Sequence, residues 1–167
     1  MSINIIRANK KHVELIQQLA YAIWPDTFKQ ILSPAQIDFM LQWMYDPNTL
    51  LKNMESGHQF WLAYEQQEPI GFIGLQVDFP QPGDLKIHKL YVLTSRQGIG
   101  LGKLLINQAV QIGIESACNR LILNVNRYNQ AVSFYKHIGF QVLYKEDIAI
   151  GEGYLMEDYV MGYELKP

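Results

Sequence analysis

The most informative stretch for chemistry is a glycine-rich turn between a predicted strand, residues 86–92, and a predicted amphipathic helix. Gly98, Gly100 and Gly102 stand at the start of that helix. The first backbone N–H groups of a helix have no partner within it, and the helix dipole adds roughly half a positive charge there. Because glycines let a ligand approach these N–H groups closely, the turn predicts a phosphate-binding site. A cofactor that carries a diphosphate is the expected ligand.

Residue spacing decides among the phosphate-binding motifs. In a P-loop alignment, Gln97 would occupy the first glycine position and Leu104 the hydroxyl position, so a nucleotide hydrolase is not expected. A dinucleotide-binding fingerprint needs a glycine where this chain has Lys103, and it belongs near the first strand rather than in mid-chain. The pattern that fits is Gln/Arg-x-x-Gly-x-Gly/Ala, matched by Gln97, Gly100 and Gly102.

A second motif follows downstream, where the chain reads Asn129-Gln-Ala131-Val-Ser-Phe134-Tyr135-Lys-His-Ile-Gly139-Phe140. With the glycine turn, this segment resembles the GNAT superfamily of N-acetyltransferases, whose turn holds the pyrophosphate of acetyl-CoA and whose second motif is Asn-x-Ala-x-x-Phe-Tyr-x-x-x-Gly-Phe. The resemblance covers residues 60–140 well. It is looser in the first helices and in residues 147–165, which are most similar to bacterial polyamine acetyltransferases.

The resemblance implies one α/β domain over residues 1–167, with flanking helices and a central, mostly antiparallel sheet of about seven strands. The fourth and fifth strands, residues 86–92 and 121–125, are expected to splay apart beside a bulge. Main-chain groups freed there would bind the pantetheine arm of acetyl-CoA. The residues expected to contact the cofactor are Leu90, Tyr91, Val92, Gln97, Gly98, Ile99, Gly100, Leu101, Gly102, Lys103, Asn124, Asn129 and Tyr135.

Two side chains are predicted to be catalytic. A primary alkyl amine is mostly protonated at neutral pH and must lose a proton before it attacks a thioester. His88 is the predicted base, because histidine titrates near neutrality and because strand alternation puts it on the face of Leu90 and Val92. Similar enzymes often carry a carboxylate there or relay the proton through water. Tyr135 matches the family's general acid, which protonates the departing thiolate.

Two segments are expected at the mouth of the acceptor site, residues 24–28 and 151–154. The predicted substrate-binding residues are Trp24, Asp26, Phe28, Glu152 and Tyr154. The carboxylates predicted to form an acidic wall around a polycation are those of Asp26, Glu152, Glu157 and Asp158. The alternative is a set of solvated loop carboxylates. A small, polyamine-like amine is the favoured acceptor and a peptide amine the next, while a non-catalytic acyl-CoA sensor is the alternative from another class.

Several other polar side chains have a simpler interpretation beside a functional one. Asn129 is expected to cap the next helix or to bind the cofactor arm, while Asn124 and Asn126 either face the cofactor or end the fifth strand. Cys118 follows the end of the long helix, far in the sequence from the strand and the glycine turn, so it is expected to be a small buried residue rather than an acyl-enzyme nucleophile. The remaining histidines lack the spacing of metal ligands, and no metal is predicted.

Length and composition limit the other possibilities. With 167 residues, of which 49% are apolar, the chain is expected to bury one core. A net charge of −2 and a pI near 6.1 do not favour nucleic-acid binding. The sequence shows no signal-peptide pattern and no apolar run that could span a membrane, so a cytoplasmic protein is expected. The resemblance alone suggests a homodimer.

Hydrophobic periodicity and turn residues predict the elements that position these motifs. A first strand, Ile3–Arg7, precedes an Asn9-capped helix that ends near Pro25. Ser33 and Pro34 begin a second helix. The later elements are a hairpin over 60–64 and 70–77, the helix after the glycine turn with Leu101, Leu104, Leu105, Ala109 and Ile112 buried, a strand over 121–125, a helix over 130–138, and strands over 140–144 and 159–165.

Overall fold

The computed structural model describes residues 2–165, which form a seven-stranded sheet with helices on both faces. The strands are β1 (Ile3–Arg7), β2 (Gln59–Glu65), β3 (Glu68–Val77), β4 (Asp84–Val92), β5 (Arg120–Asn126), β6 (Gln141–Gly151) and β7 (Tyr154–Glu164). The helices are α1 (Val13–Phe28), α2 (Pro34–Tyr45), α3 (Pro47–Glu55), α4 (Leu101–Glu115) and α5 (Ala131–His137). Within residues 2–165, no helix combines the length and the hydropathy that a membrane crossing requires.

The sheet has the strand order β1-β2-β3-β4-β5-β7-β6, and only β4 and β5 run parallel. These two strands pair from Asp84 with Arg120 to Ile87 with Leu123, and beyond that register they no longer pair. On its other side, β4 remains paired with β3 as far as Val92. The predicted mostly antiparallel sheet with splayed fourth and fifth strands is therefore confirmed. The splay leaves one edge of β4 free.

A β-bulge interrupts β4 where the splay begins. Leu75 of β3 pairs with Ile87 and Gly74 pairs with Lys89, so His88 is an extra residue without a partner in β3. A bulge bends a strand and changes the face on which the following side chains lie. The bulge implied by the family resemblance is therefore present, and it falls at the residue predicted to be the base.

Two hydrophobic cores lie on opposite faces of the sheet, one under α4 and α5 and the other under α1, α2 and α3. On α4, Leu105 and Ala109 are fully buried, whereas Leu104 is 40% exposed and Ile106 is buried in its place. The prediction for Leu104 is wrong because the buried arc of the helix centres between Leu105 and Ala109, and Leu104 lies on its far flank.

The first helix continues past Pro25, contrary to the prediction that it ends there. A proline inside a helix removes one backbone hydrogen bond, which makes an end at that point a reasonable expectation. In the structure Trp24 and Phe28 are both buried, with ring centroids 4.6 Å apart. Lys29 donates its N–H to the Pro25 carbonyl at 3.0 Å. Burial of two aromatic side chains offsets the lost bond, so the helix runs on to Phe28.

A third helix, α3, follows the second after a single residue and was not predicted. Asp46 accepts a hydrogen bond from the N–H of Asn48 at 3.0 Å, and Pro47 occupies the first helical position. Both residues are typical of a helix start. The Tyr45-Asp46-Pro47 segment therefore ends one helix and begins another.

The last two strands are longer than predicted. β6 and β7 each contain 11 residues and form a hairpin. β6 is the edge strand, and most of its side chains are exposed. Because neither face of such a strand is fully buried, the alternation of apolar and polar residues that reveals a strand in the sequence is weak over residues 145–151.

Candidate functional site

Two cavities adjoin where β4 and β5 separate. The larger, here called the glycine cleft, has a volume of about 850 Å³ and lies between α1, the end of β4, the glycine turn and α5. The smaller, here called the inner pocket, has a volume of about 120 Å³ and lies between α1, α2 and strands β4, β5 and β7. Both cavities are lined by Leu90, Tyr91, Asn129, Ala131 and Tyr135. A ligand in the glycine cleft could therefore reach the inner pocket beside Tyr135.

The glycine turn presents unpaired amides to the glycine cleft. Gly98 and Gly100 have φ values of +86° and +82°, a conformation that favours glycine. The first α4 bond runs from the N–H of Leu104 to the Gly100 carbonyl at 3.1 Å, so the amides of residues 101–103 precede it. A Cβ at Gly98 or Gly100 would meet no atom within 4 Å, so the space beside the turn is open. The turn can hold an anion.

The third glycine of the turn, Gly102, allows helices α4 and α5 to pack closely. A Cβ at Gly102 would lie 3.0 Å from the ring of Phe134, so glycine here lets α4 approach α5. Of the predicted cofactor residues on the turn, Gln97, Gly98, Gly100, Leu101 and Gly102 line the glycine cleft. Ile99 and Lys103 are exposed.

Tyr135 lies on α5 at the junction of the two cavities. It is buried and packs edge to face against Phe134 and Phe140, with ring centroids 5.2 and 5.4 Å away. Burial raises the pKa of the Tyr135 phenol above its ordinary value. The hydroxyl is thus protonated at neutral pH and is able to donate a hydrogen bond or a proton.

Asparagine side chains shape the segment between β5 and α5. Asn129 accepts a hydrogen bond from the N–H of Ala131 at 2.9 Å, which caps the start of α5. Asn126 accepts one from the N–H of Tyr128 at 3.0 Å. Asn124 lines the inner pocket rather than the glycine cleft.

The surroundings of His88 contradict both reasons for predicting it as the base. Leu90 and Val92 pack in the core under α4, whereas the His88 ring stacks on His58 and lies 3.0 Å from the Gln76 side-chain oxygen on the other face. The bulge produces this difference. Burial, and then the nearby positive charges, lower the pKa of His88 from 6.5 to about 3. A lowered pKa leaves His88 neutral at pH 7, which does not fit the expectation that it titrates near neutrality.

Two buried charged residues, Lys89 and Asp158, line the inner pocket among apolar neighbours. Asp158 of β7 is only 3% exposed, and its Oδ2 accepts a hydrogen bond from the Asn124 Nδ2–H at 3.2 Å. Lys86 donates a hydrogen bond from Nζ to the Asn124 Oδ1. Burial raises the pKa of Asp158 and lowers that of Lys86. Asp158 and Asn124 line the inner pocket together with Tyr135.

The predicted acidic wall does not assemble. Asp26 lines the glycine cleft, and Glu152 is exposed in the turn of the β6–β7 hairpin. Glu157 alternates with Asp158 on β7 and therefore lies on the opposite face of the strand, 3.8 Å from the Arg127 guanidinium. Within residues 2–165, Asp158 is the only one of the four carboxylates that lines the inner pocket.

The apolar walls of the inner pocket come partly from predicted residues. Trp24 and Phe28 line it, whereas Tyr154 packs against Phe39 at a centroid distance of 5.4 Å. Helix α2 also contributes side chains that were not predicted, namely Gln36, Met40 and Met44. A signal was available, because apolar residues cover more than one face of α2.

Cys118 lies away from both cavities. It is buried, and its Sγ is 3.8 Å from the Asp84 carbonyl oxygen. Residues 2–165 contain no group of three histidine, cysteine or acidic side chains placed to hold a metal ion.

Known proteins resemble this chain in sequence and in fold. A sequence model described as the acetyltransferase (GNAT) family matches residues 16–140. Two curated relatives, both named peptidyl-lysine N-acetyltransferase YjaB, come from Salmonella typhimurium and Escherichia coli. They are 32% and 31% identical to the chain over 90 residues, which is 53% of this chain. The chain spans about half the length of these relatives, 54% and 53% respectively.

Solved structures match over nearly the whole length. One is the PaiA N-acetyltransferase of Thermoplasma acidophilum in complex with coenzyme A, with a TM-score of 0.83, 25% identity, and coverage of 98% of this chain and 99% of that one. A GCN5-related N-acetyltransferase from Rhodopseudomonas palustris has a TM-score of 0.83 at 18% identity, covering 99% and 97% of the two chains. Since the family model spans both chemical motifs and most of the sheet, this chain belongs to the acetyltransferase (GNAT) family.

Proposed function

We propose that this chain transfers the acetyl group of acetyl-CoA to a primary amine by direct attack in a ternary complex. The observation that carries the proposal is the junction of the glycine cleft and the inner pocket at Tyr135, beside the free edge of β4. One cavity offers amides to a diphosphate, and the other offers a carboxylate to an amine. Direct transfer is favoured over an acyl-enzyme because Cys118 lies outside both cavities.

The residues of the glycine cleft fit acetyl-CoA. The amides of residues 101–103 and the dipole of α4 would bind the diphosphate, and Lys29 and Arg96 line the same cleft. The main chain of Leu90–Val92 has lost its neighbour strand, so its N–H and C=O groups can pair with the amides of the pantetheine arm. The bound cofactor supplies a thioester carbonyl open to attack by an amine. The relative from Thermoplasma acidophilum, solved with coenzyme A, supports this assignment.

Tyr135 is proposed as the general acid. Tyr135 lines both cavities, so the thioester of a cofactor bound in the glycine cleft would lie near this residue. Because burial keeps the phenol protonated, Tyr135 can give a proton to the departing thiolate.

The acceptor is proposed to be an unbranched alkyl ammonium such as a lysine side chain. The inner pocket is small and has Met40, Met44 and Met156 in its walls, which suit an alkyl stem. Asp158 is the one acidic side chain among the described residues that line it. A polyamine would bring further charged nitrogens into these apolar walls without a second carboxylate to receive them. The curated relatives named peptidyl-lysine N-acetyltransferases support the same choice.

An amine panel tests the proposal. Purified protein is given acetyl-CoA with a lysine-containing peptide, the same peptide with acetylated lysine, spermidine or butylamine, and released thiol is measured. We expect release with the lysine peptide and butylamine, and less with spermidine. Efficient turnover of spermidine alone would restore the polyamine prediction. Tight binding of acetyl-CoA by calorimetry without thiol release for any amine would contradict the enzyme proposal and favour a non-catalytic sensor.

The assembly and location of the protein stay predictions. The homodimer is expected from the family resemblance only. Light scattering at several protein concentrations tests the dimer, and a mass equal to one chain throughout would contradict it.

A further inference from the structure

We infer that Asp158 binds the ammonium group of the acceptor and takes its proton, with Asn124 and Lys86 as positioning residues for the carboxylate. This inference rests on the proposed function and deepens it by naming the residue that selects and activates the amine. It replaces His88 in the role of base.

The first support is the burial of the Asp158 carboxylate without a direct ion pair. The residue is 3% exposed, and Asn124 donates the one side-chain hydrogen bond it receives from residues 2–165, at 3.2 Å. The Arg127 Nη1 donates to the Asp158 backbone carbonyl at 3.1 Å, but no lysine, arginine or histidine nitrogen of the described chain lies within 4.0 Å of the Asp158 carboxylate oxygens. Buried carboxylates are usually paired with a cation, because burial disfavours an isolated charge. A cationic ligand in the inner pocket would complete this pairing.

The second support is the fixed orientation of the Asn124 amide. The ammonium of Lys86 can only donate hydrogen bonds, so the Asn124 Oδ1 must face Lys86. The Nδ2–H then points to Asp158, where it holds one carboxylate oxygen and stabilises the ionised form. This chain of contacts crosses three adjacent strands, β4, β5 and β7, and it leaves the other carboxylate oxygen for a ligand.

The third support is the position of Asp158 relative to the reacting groups. Asp158 and Tyr135 line the same small pocket, and Tyr135 also lines the glycine cleft. An alkyl ammonium that enters past Met40 and Met44 would meet the carboxylate beside the junction where the thioester is delivered. His88 lines this pocket too, but its Nε2 lies 3.0 Å from Gln76.

The proposed transfer balances as follows. Asp158 accepts one proton from the R–NH₃⁺ group and passes it to solvent, which leaves a neutral amine. The nitrogen lone pair forms the new C–N bond to the acetyl carbon, and the C–S bond breaks with its electron pair on sulfur. Tyr135 donates a proton to that sulfur and regains one from the nitrogen, so an amide, a thiol and one released proton result.

The charges around Asp158 favour this role. Lys86 on β4, Glu146 on β6 and Arg127 after β5 act on the carboxylate, together with the Asn124 amide on β5. Burial is the largest influence and raises the pKa of Asp158, while Lys86, Arg127 and the amide bond act in the opposite direction. A carboxylate with a raised pKa is a better base than an ordinary one.

The first test compares Asp158→Asn with Glu157→Gln. The two substitutions remove the same charge from adjacent residues of β7, but only Asp158 lines the inner pocket. We expect Asp158→Asn to lower kcat/KM for butylamine by roughly 100-fold or more, with acetyl-CoA affinity by calorimetry unchanged. Glu157→Gln should retain the wild-type value. Equal kcat/KM in wild type and Asp158→Asn would overturn the inference.

Two further readouts separate this role from a structural one. With trifluoroethylamine, which is largely neutral at pH 7, Asp158→Asn should lose much less activity than with butylamine. Asn124→Ala should shift the acid limb of the kcat/KM profile to higher pH, because the lost hydrogen bond stabilises the ionised carboxylate. An equal loss of kcat/KM with both amines would indicate that Asp158 has only a structural role. An unchanged acid limb of the kcat/KM profile in a folded Asn124→Ala variant would indicate the same.

Ligand binding distinguishes failure of this inference from failure of the proposed function. Butylamine binding to the coenzyme A complex is measured by calorimetry, which needs no turnover. The protein could bind butylamine, lose this binding in Asp158→Asn and yet transfer no acetyl group. That result would support the ammonium site and contradict the proposed enzyme activity. Acetyl transfer that is unchanged in Asp158→Asn would support the enzyme activity and contradict the ammonium site. Absence of both butylamine binding and acetyl transfer would contradict both proposals.

Discussion

The imidazole rings of His58 and His88 lie parallel, with centroids 4.2 Å apart and an angle of 6° between their planes. Two charged imidazoles could not stack in this way without strong repulsion. Burial, followed by the charge of Lys89, lowers the pKa of His58 from 6.5 to about 4, and burial likewise lowers that of His88 to about 3. Both rings are therefore neutral in the folded protein at neutral pH.

This pair predicts a loss of stability in mild acid. Between pH 6.5 and 4 the unfolded chain binds protons at both histidines while the folded chain does not, so the free energy of unfolding falls as the pH decreases. We expect the thermal midpoint to fall over this range, and to fall less steeply in the double variant His58→Gln, His88→Gln. The matched control is His137→Gln at the exposed end of α5. A double variant with the wild-type pH slope would contradict the prediction.

The glycine turn predicts a loss of cofactor affinity in Gly100→Ala. At φ = +82° an alanine is strained by about 1–2 kcal/mol, and relaxation of the strain would move the amides that open α4. Gly153→Ala is the control, since its φ is +79° and its Cβ would also meet no atom within 4 Å. Both variants should lose similar stability in urea. Only Gly100→Ala should bind coenzyme A more weakly by calorimetry, and equal affinities would show that the turn does not hold the ligand.

Tyr135→Phe is expected to lower kcat by about 100-fold or more, since general acid catalysis contributes that much, with little change in acetyl-CoA affinity. The phenyl ring retains the packing against Phe134 and Phe140. Tyr144→Phe removes the same hydroxyl from an exposed position on β6 and should leave kcat unchanged. Steady-state thiol release measures both variants. Wild-type turnover in Tyr135→Phe would remove the phenol from the mechanism.

An ion pair links the paired ends of β4 and β5. Asp84 is only 3% exposed and lies 2.7 Å from the Arg120 Nε, across the first register of the parallel pair. Arg120→Met would leave a buried carboxylate without its charged donor, at a cost of about 2 kcal/mol in the free energy of unfolding. Arg7→Met, at an exposed position on β1, is the control. Urea denaturation should separate the two variants, and equal midpoints would show that the pair contributes nothing.

Local patterns account for most of the confirmed elements. The alternation in Ile3–Arg7, the start of α2 at Ser33-Pro34 and the hairpin before β4 each depend on residues close together in the chain. The error at the end of α1 has a tertiary cause. Helix α1 continues past Pro25 because Trp24 and Phe28 are both buried. No sequence pattern within the segment predicts which residues they pack against.

The same distinction between local and tertiary causes applies to the functional site. A helix that opens with glycines needs only its own backbone to offer amides to an anion, so Gln97, Gly100 and Gly102 predict the glycine cleft from the sequence. Tyr135 was found through its motif. The acceptor side was largely missed, because α2 and β7 meet there from distant parts of the chain.

The sequence alone determined the order of the elements apart from α3, the anion-binding turn and the family motifs, since each of these depends on spacing along the backbone. Only the tertiary structure decided which face each strand residue takes at the inner pocket. A single bulge at His88 reversed the alternation of β4 and turned the predicted base away from Leu90 and Val92. Pairing of β5 with β7 placed Asp158 beside Asn124 and left Glu157 on the other face, because strand register is fixed by contacts between segments distant in the sequence.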